Sequence, residues 1–144
     1  DAPLEPFTLD SLAEMLPLIG IQRFQSDGTT AIYAWVNDVL FAFALDNGPS
    51  LIIKGHWDPS LEEAEFTRLF LICNDWNRAH HGAVAFCRHT FEGLQVRMDA
   101  ATITAAGLTR PQLFSAVGRG LKHILHGIDD IAREVTGASP VEWP

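Results

Sequence analysis

The sequence has few of the residues that mark several large classes of protein. It contains two cysteines, two lysines and one tyrosine in 144 residues, and 10 basic side chains against 18 acidic ones give it a formal net charge of -8. No stretch approaches the roughly 20 consecutive apolar residues that a membrane-spanning helix needs. A chain this short of cations also lacks a basic face for phosphate backbones. We therefore expect no membrane and no nucleic acid among its partners.

The small number of cysteines indicates the compartment. Cys73 and Cys87 lie in apolar stretches, and no segment combines a basic head with an apolar stripe as a secretory signal does. Two buried thiols acting as small hydrophobes are favoured over a disulfide, which the sequence does not exclude. We expect a reduced, cytoplasmic protein. Because the chain begins at Asp1 and not at methionine, we also expect residues upstream of it.

Apolar residues, by contrast, are plentiful. They make up 47% of the chain, and charged residues make up 19%. At this length a folded chain hides roughly 68–70% of its unfolded surface, so a core can form without disulfides or metals. No repeat or linker divides the sequence, so we expect one domain over residues 1–144.

Three segments repeat their apolar residues with the 3.6-residue period of a helix. The predicted first and last signals of these helices are Thr8 and Gly20, then Ser60 with Glu63 and Gly82, and finally Thr109 with Gln112. Between the first two helices the period changes to two, and tight turns at Asp27-Gly28, Asn37-Asp38 and Asn47-Gly48 separate short strands. A further hairpin turns at Glu92-Gly93. The pattern predicts an α+β fold of order α-β-β-β-β-α-β-β-α, with five to six antiparallel strands.

The hairpin turned at Asn37-Asp38 has the clearest register. Its two-residue turn predicts three opposed pairs, Val36 with Val39, Ala34 with Phe41, and Ile32 with Phe43. Both faces of this hairpin are then apolar, one with Ile32, Val36, Phe41, Phe43 and Leu45, the other with Tyr33, Trp35, Leu40, Ala42 and Ala44. An antiparallel sheet with one wet face alternates cleanly, so we expect a helix, a neighbouring subunit or a partner protein to cover the second face.

For the strand after Asn47-Gly48, the sequence does not settle which residues point to which face of the sheet; we call this assignment the parity of the strand. Counting through the turn places Leu51, Ile53 and Trp57 on the face of Tyr33 and Trp35. One bulge in the turn would move them to the opposite face. Large aromatic side chains with polar tips are enriched at protein interfaces. The predicted partner surface is therefore Tyr33, Trp35, Leu40 and Trp57.

The last predicted helix has three internal glycines, Gly118, Gly120 and Gly127, beside its apolar seam. Each costs roughly 1 kcal/mol of helix propensity relative to alanine. Bare backbone lets a helix press closely onto a flat sheet or onto a symmetry mate. Packing on a sheet is favoured over a coiled coil, because small residues replace the charges that normally flank a coiled-coil seam.

The sequence offers few residues in metal-binding patterns. His123 and His126 lie three apart on one helix face, with Asp129 and Asp130 a turn later, a spacing that can hold a divalent ion. A solvated helix face explains these residues better, because no motif fixes a further ligand. The pair His80-His81 at a helix end is interpreted as binding the last carbonyls of that helix. We expect no metal site.

Catalytic patterns are equally sparse. Cys87 and His89 would lie on one strand face, as in some activated nucleophiles, but an inert buried thiol is favoured. The phosphate loop, the dinucleotide fingerprint, the nucleophile elbow and the paired-histidine zinc helix are absent from the sequence. We therefore expect no catalytic residues, no cofactor and no enzymatic activity.

The segment Leu71–Arg78 at the end of the second predicted helix resembles the YbjN-like family. The likeness rests on the Asn-x-Trp-Asn signature, here Asn74, Trp76 and Asn77, and on Gly107-Leu108-Thr109 before the last helix. It implies a fold like that of type III secretion chaperones, helices packed on a curved antiparallel sheet and commonly a dimer. Most members of the family have no defined function. We interpret the signature as structural, with Trp76 as a core anchor and the two amides bound to nearby backbone.

Two functions are consistent with these expectations. The first is a non-enzymatic protein-binding domain, chaperone-like or regulatory, that acts as a homodimer and buries an apolar surface of a partner. The alternative is a small-ligand or metal-responsive regulatory protein that uses the histidines of the last helix or a pocket under the sheet.

Overall fold

The computed structural model describes residues 3–4, 8–45, 50–103 and 107–143. Its helices are α1 (Leu9–Ile19), α2 (Phe66–Ala79) and α3 (Arg110–Thr136). Its strands are β1 (Gln25–Ser26), β2 (Ala31–Val36), β3 (Val39–Leu45), β4 (Ser50–Trp57), β5 (Val84–Thr90) and β6 (Gly93–Ile103). The predicted α+β class, element order and strand number are confirmed.

All six strands belong to one antiparallel sheet, in the spatial order β1-β2-β3-β4-β6-β5. The last strand in sequence, β6, therefore pairs with both β4 and β5, and β5 lies at the edge. The predicted register of the Asn37-Asp38 hairpin is confirmed in all three of its pairs. Asn37 takes a φ of 55°, a left-handed conformation that asparagine tolerates better than most residues.

The parity predicted for β4 is wrong. Phe43 lies opposite Ile53, and Leu45 lies opposite Leu51. Directly opposed residues share a face, so Leu51, Ile53 and Trp57 lie with the buried face of the hairpin and not with Tyr33. The Asn47-Gly48 turn, whose length sets this parity, falls outside the described residues.

The helices pack on one face of the sheet. The buried core joins residues from α1, α2 and α3 to strand residues from a single face, which is called the inner face here. Its largest fully buried side chains are Phe41, Phe43, Leu12, Leu16, Ile32, Leu51, Ile53, Leu69, Leu94, Met98, Ile124 and Ile128. None of the helices in the described ranges is long and apolar enough to cross a membrane.

The glycines of α3 allow the close approach that the sequence predicts. A methyl group built on Gly120 would lie 2.6 Å from Cδ1 of Ile53 in β4, and one built on Gly127 would overlap the end of the Met98 side chain in β6. Neither position has room for a side chain. Gly118 differs, because a methyl group there would meet no atom within 4 Å. Packing of α3 on the sheet is thus confirmed at two of the three glycines.

The helix starts are partly as predicted. Thr8 forms a reciprocal cap with Ser11, and Thr109 forms one with Gln112. The predicted cap at Ser60 is wrong, because its N–H donates to Asp58 Oδ1 at 3.0 Å and its φ of 55° turns the chain away from a helix. A 3-10 turn follows at Glu63–Glu65, and α2 begins only at Phe66.

Candidate functional site

The second face of the sheet, called the outer face here, has no helix packed on it in the part of the chain that the structure describes. Its side chains alternate with those of the inner face along every long strand. They include Tyr33, Trp35, Leu40, Ala42, Ala44, Ile52, Lys54, His56, Val84, Phe86, Arg88, Gln95, Arg97, Asp99 and Ala101. The expected second apolar face of the hairpin is therefore present, and it is open.

Three residues form an apolar corner on the outer face: Tyr33, Trp35 and Leu40. Tyr33 is 42% exposed and Trp35 is 66% exposed, while Leu40 is half-buried directly opposite Trp35. Large aromatic side chains on a strand normally bury most of their surface, and Trp35 does not. A shallow depression of about 510 Å³ lies between this corner and the segment that leads into β1.

A polar band crosses the outer face beside the apolar corner. Lys54 lies opposite Asp99, and His56 lies opposite Arg97. Arg97 forms an ion pair with Asp99 at 2.9 Å, and its guanidinium lies 5.0 Å from the ring centre of Phe86. The Nε of Arg97 and Oδ1 of Asp99 are nonetheless buried without hydrogen-bond partners within the described residues. Buried polar atoms without a hydrogen-bond partner cost free energy.

His56 connects the apolar corner to the polar band. Its Nδ1 lies 3.2 Å from the carbonyl oxygen of Leu40, which accepts a hydrogen bond when that nitrogen is protonated. Burial lowers the pKa of His56, and the positive charges of Arg97 and Arg88 lower it further. The imidazole is therefore held in its neutral form at physiological pH.

Trp57 does not belong to this surface, so its assignment to the predicted partner surface is wrong. It is 7% exposed and lies opposite Val96 on the inner face, within the core. The error follows from the parity of β4. Tyr33, Trp35 and Leu40 do lie together, and their role as a partner surface stays a prediction.

The Asn74, Trp76 and Asn77 signature lies where α2 meets β5 and α3. Asn77 Nδ2 donates to the carbonyl of Ala85 at 2.9 Å, and its Oδ1 accepts from the N–H of the same residue at 2.7 Å. The buried Trp76 donates from Nε1 to Oδ2 of Asp130 at 3.1 Å. The side chain of Asn74 is exposed and makes no hydrogen bond within the described residues, so its predicted contact with nearby backbone is wrong.

The histidines of α3 lie close to those that follow α2. His80, His81, His123 and His126 line one depression of about 500 Å³. As predicted, His80 reaches the helix end, with Nδ1 2.9 Å from the carbonyl of Trp76. Across the described ranges, however, no group of three histidine, cysteine or acidic side chains is arranged to hold a metal ion.

Cys87 and His89 share the inner face of β5, and each is engaged elsewhere. Burial and the nearby Glu63 carboxylate raise the pKa of Cys87. His89 instead lies 3.0 Å from Oε2 of Glu63 through Nδ1 and stacks on Phe66. Burial raises the pKa of the second thiol, Cys73, to about 12. Raised thiol pKa values disfavour the reactive thiolate form.

Sequence reasoning missed the neighbours of the apolar corner. The alternation of Gln95, Arg97 and Asp99 correctly places them away from the core, but only the β4–β6 pairing brings them beside Lys54 and His56. β4 and β6 are separated in sequence by α2 and β5, so no local sequence pattern indicates that these two strands pair.

The chain resembles known proteins in its structure but not in its sequence. No family model matches the chain, and no curated protein matches it in sequence. Among solved structures, YbjN of E. coli, a proposed transcription regulator, matches with a TM-score of 0.74 and 14% identity, over 95% of this chain and 98% of that one. An uncharacterized protein from Methanothermobacter thermautotrophicus matches with a TM-score of 0.53 and 14% identity, over 90% of this chain and 99% of that one. The chain therefore has a YbjN-like fold.

Proposed function

We propose that this chain is a non-enzymatic, cytoplasmic protein-binding domain with a regulatory or chaperone-like role. It acts as a homodimer: its outer sheet face receives the apolar surface of another polypeptide, and in the dimer that polypeptide is a second copy of the chain. The observation that carries the proposal is Trp35, which is 66% exposed in the apolar corner of an uncovered sheet face. The assignment of YbjN as a proposed transcription regulator is compatible with a regulatory role.

Charge favours protein over nucleic acid as the partner. The formal net charge is -8, and five arginines are paired with carboxylates: Arg68, Arg78, Arg97, Arg110 and Arg133. Nucleic-acid binding depends on several unpaired cations gathered on one face. The outer face combines an apolar corner with a mixed-charge band, and this combination is typical of protein interfaces.

The outer face also contains a charged pair beside the apolar corner. Arg97 and Asp99 bind each other at 2.9 Å, and their side chains remain 27% and 22% exposed, so a docked polypeptide can contact this pair. Apolar burial at Trp35 supplies the affinity, and the Arg97–Asp99 pair adds orientation.

Sedimentation velocity of the pure protein tests the dimer and its surface together. The wild type should sediment as a dimer at tens of micromolar. Trp35→Glu should weaken the dimer by about thirtyfold or more, the loss expected when a central aromatic contact of roughly 2 kcal/mol is removed. The circular dichroism spectrum should stay native and thermal unfolding should stay cooperative, because the side chain is largely exposed in the monomer.

Phe91→Glu is the matched control. Phe91 is fully exposed at the turn between β5 and β6, so the same chemical change there should leave the dimer intact. A wild type that stays monomeric removes the homodimer from the proposal. A dimer that survives Trp35→Glu removes the apolar corner as its interface.

A further inference from the structure

A groove of about 710 Å³ lies between α3, the segment 19–23 that follows α1, and the end of β2. Its volume is within the range of small-molecule sites. The walls are mainly apolar and come from four separate parts of the chain, Ile19, Ile21, Val36, Leu121, Leu125 and Trp143. Trp35 lies at its edge and is shared with the outer face.

Two features keep the groove open. Gly118 lines it, and the absence of any atom within 4 Å of a built Cβ shows that the space above this residue is empty. Trp143 lines it from the far side and stacks on His126, with ring centres 4.5 Å apart. Ile21 and Leu121 are buried, so two of the wall side chains are held by the core.

The charges that line the groove are of one sign. Arg23 and Lys122 contribute cations, and no carboxylate lines the groove in the described part of the chain. Arg23 and Lys122 form no ion pair within the described residues, although acidic residues outnumber basic ones 18 to 10 in the whole chain. Lys122 and His126 also line the adjacent depression of about 500 Å³, together with Arg119, His123 and the carboxylate of Asp130, which accepts a hydrogen bond from Trp76 Nε1. An anionic group at this junction would meet cations from two sides.

We propose that this groove binds an acyl chain with an anionic head group. The chain lies along Ile21, Leu121 and Leu125, and the head group lies at Lys122 and Arg23. An acyl chain fits this lining better than a peptide, because it buries no polar groups that would need hydrogen-bond partners. Carboxylate and phosphate head groups share the required charge. The site shares Trp35 with the apolar corner, but its other walls lie outside that corner and it does not require the dimer.

Isothermal titration with three twelve-carbon amphiphiles below micelle formation tests the head group. Dodecanoate should bind, dodecanol should bind about fivefold more weakly, and dodecyltrimethylammonium should bind most weakly. Non-specific detergent binding to a chain of charge -8 would give the reverse order of the two ions, and that order would overturn the proposal. Dodecyl phosphate then distinguishes the two possible head groups. Tighter binding than that of dodecanoate would assign a phosphate head group, and weaker binding would assign a carboxylate.

Chain length tests the apolar walls. Each methylene added from octanoate to dodecanoate should tighten the dissociation constant about fourfold. The fluorescence of Trp35 and Trp143, which border the groove, should change with the same saturation curve. Affinity that does not depend on chain length would overturn the proposed seat of the acyl chain.

Variants of single residues locate the site. Lys122→Gln should weaken dodecanoate about fivefold without changing dodecanol, and Lys54→Gln, the same change at the other lysine, should change neither. Gly118→Phe should fill the groove and abolish binding while the melting curve stays cooperative. If Gly118→Phe fails to fold, Lys122→Glu still tests the site, because Lys122 is exposed and the substitution should not disturb the core. Lys122→Glu should weaken the binding of dodecanoate more than Lys122→Gln does. Undiminished binding to Lys122→Glu would overturn the proposal.

Discussion

Two glycines of the same helix, Gly118 and Gly127, should respond to alanine with opposite signs. Alanine is favoured over glycine within a helix by about 1 kcal/mol. At Gly118 a new methyl group meets nothing within 4 Å, so the full gain should appear. Gly118→Ala is therefore expected to raise the free energy of unfolding by about 1 kcal/mol.

At Gly127 the same methyl group has no space. It would overlap the end of the Met98 side chain and lie 2.9 Å from Cζ2 of Trp76. Met98 is fully buried, so its thioether cannot move out to water. Overpacking of this kind costs about 1–3 kcal/mol, which exceeds or cancels the gain in propensity. Gly127→Ala should lower the free energy of unfolding by about 1 kcal/mol, about 2 kcal/mol below the other variant.

Urea denaturation and differential scanning calorimetry measure both effects. For a chain of this size 1 kcal/mol corresponds to about 4 °C, so the two midpoints should differ by about 8 °C. A double-mutant cycle with Met98→Ala should show coupling of about 1 kcal/mol, because removing the thioether relieves the overlap. If Gly127→Ala stabilises the protein as much as Gly118→Ala does, α3 does not approach the sheet as closely as described.

Two further predictions concern the helix end and the outer face. Asn77→Ala should lower the free energy of unfolding, measured by urea denaturation, by about 1–2 kcal/mol, because it leaves both backbone groups of Ala85 without partners. Asn74→Ala should change the same free energy by less than about 0.5 kcal/mol. Equal effects of the two variants would contradict the hydrogen bonds of Asn77. Burial lowers the pKa of His56 in the folded state, so the unfolded chain binds the proton more readily. The contribution of His56 to the free energy of unfolding is therefore complete above about pH 6.5 and declines as the pH falls below that value. His56→Gln should flatten the measured stability between pH 7 and 5, and an unchanged slope would contradict the assignment.

Local chemistry explains which parts of the fold could be predicted from sequence. The two-residue turn at Asn37-Asp38 sets its own register, so residue order alone is enough to place Tyr33, Trp35 and Leu40 on one face. The caps at Thr8 and Thr109 and the glycines of α3 are equally local signals.

The errors arise where the outcome depends on more than neighbouring residues. The face of Trp57 depends on the length of the turn that precedes β4, because one extra residue exchanges the two faces of a strand. Ser60 has the sequence of a helix cap, but Asp58 binds its N–H first. The groove draws its walls from α1, β2, α3 and the chain end, and no local pattern joins them.

The environment of Trp35 tests the central claim of this account most directly. Hydroxyl-radical footprinting should be measured across protein concentrations that span the monomer–dimer equilibrium, with Trp143 as the internal reference. We expect oxidation of Trp35 to fall as the dimer forms, while oxidation of Trp143 stays constant. Equal oxidation of Trp35 at every concentration, in a protein that nonetheless sediments as a dimer, would contradict the claim that the outer face is the interface.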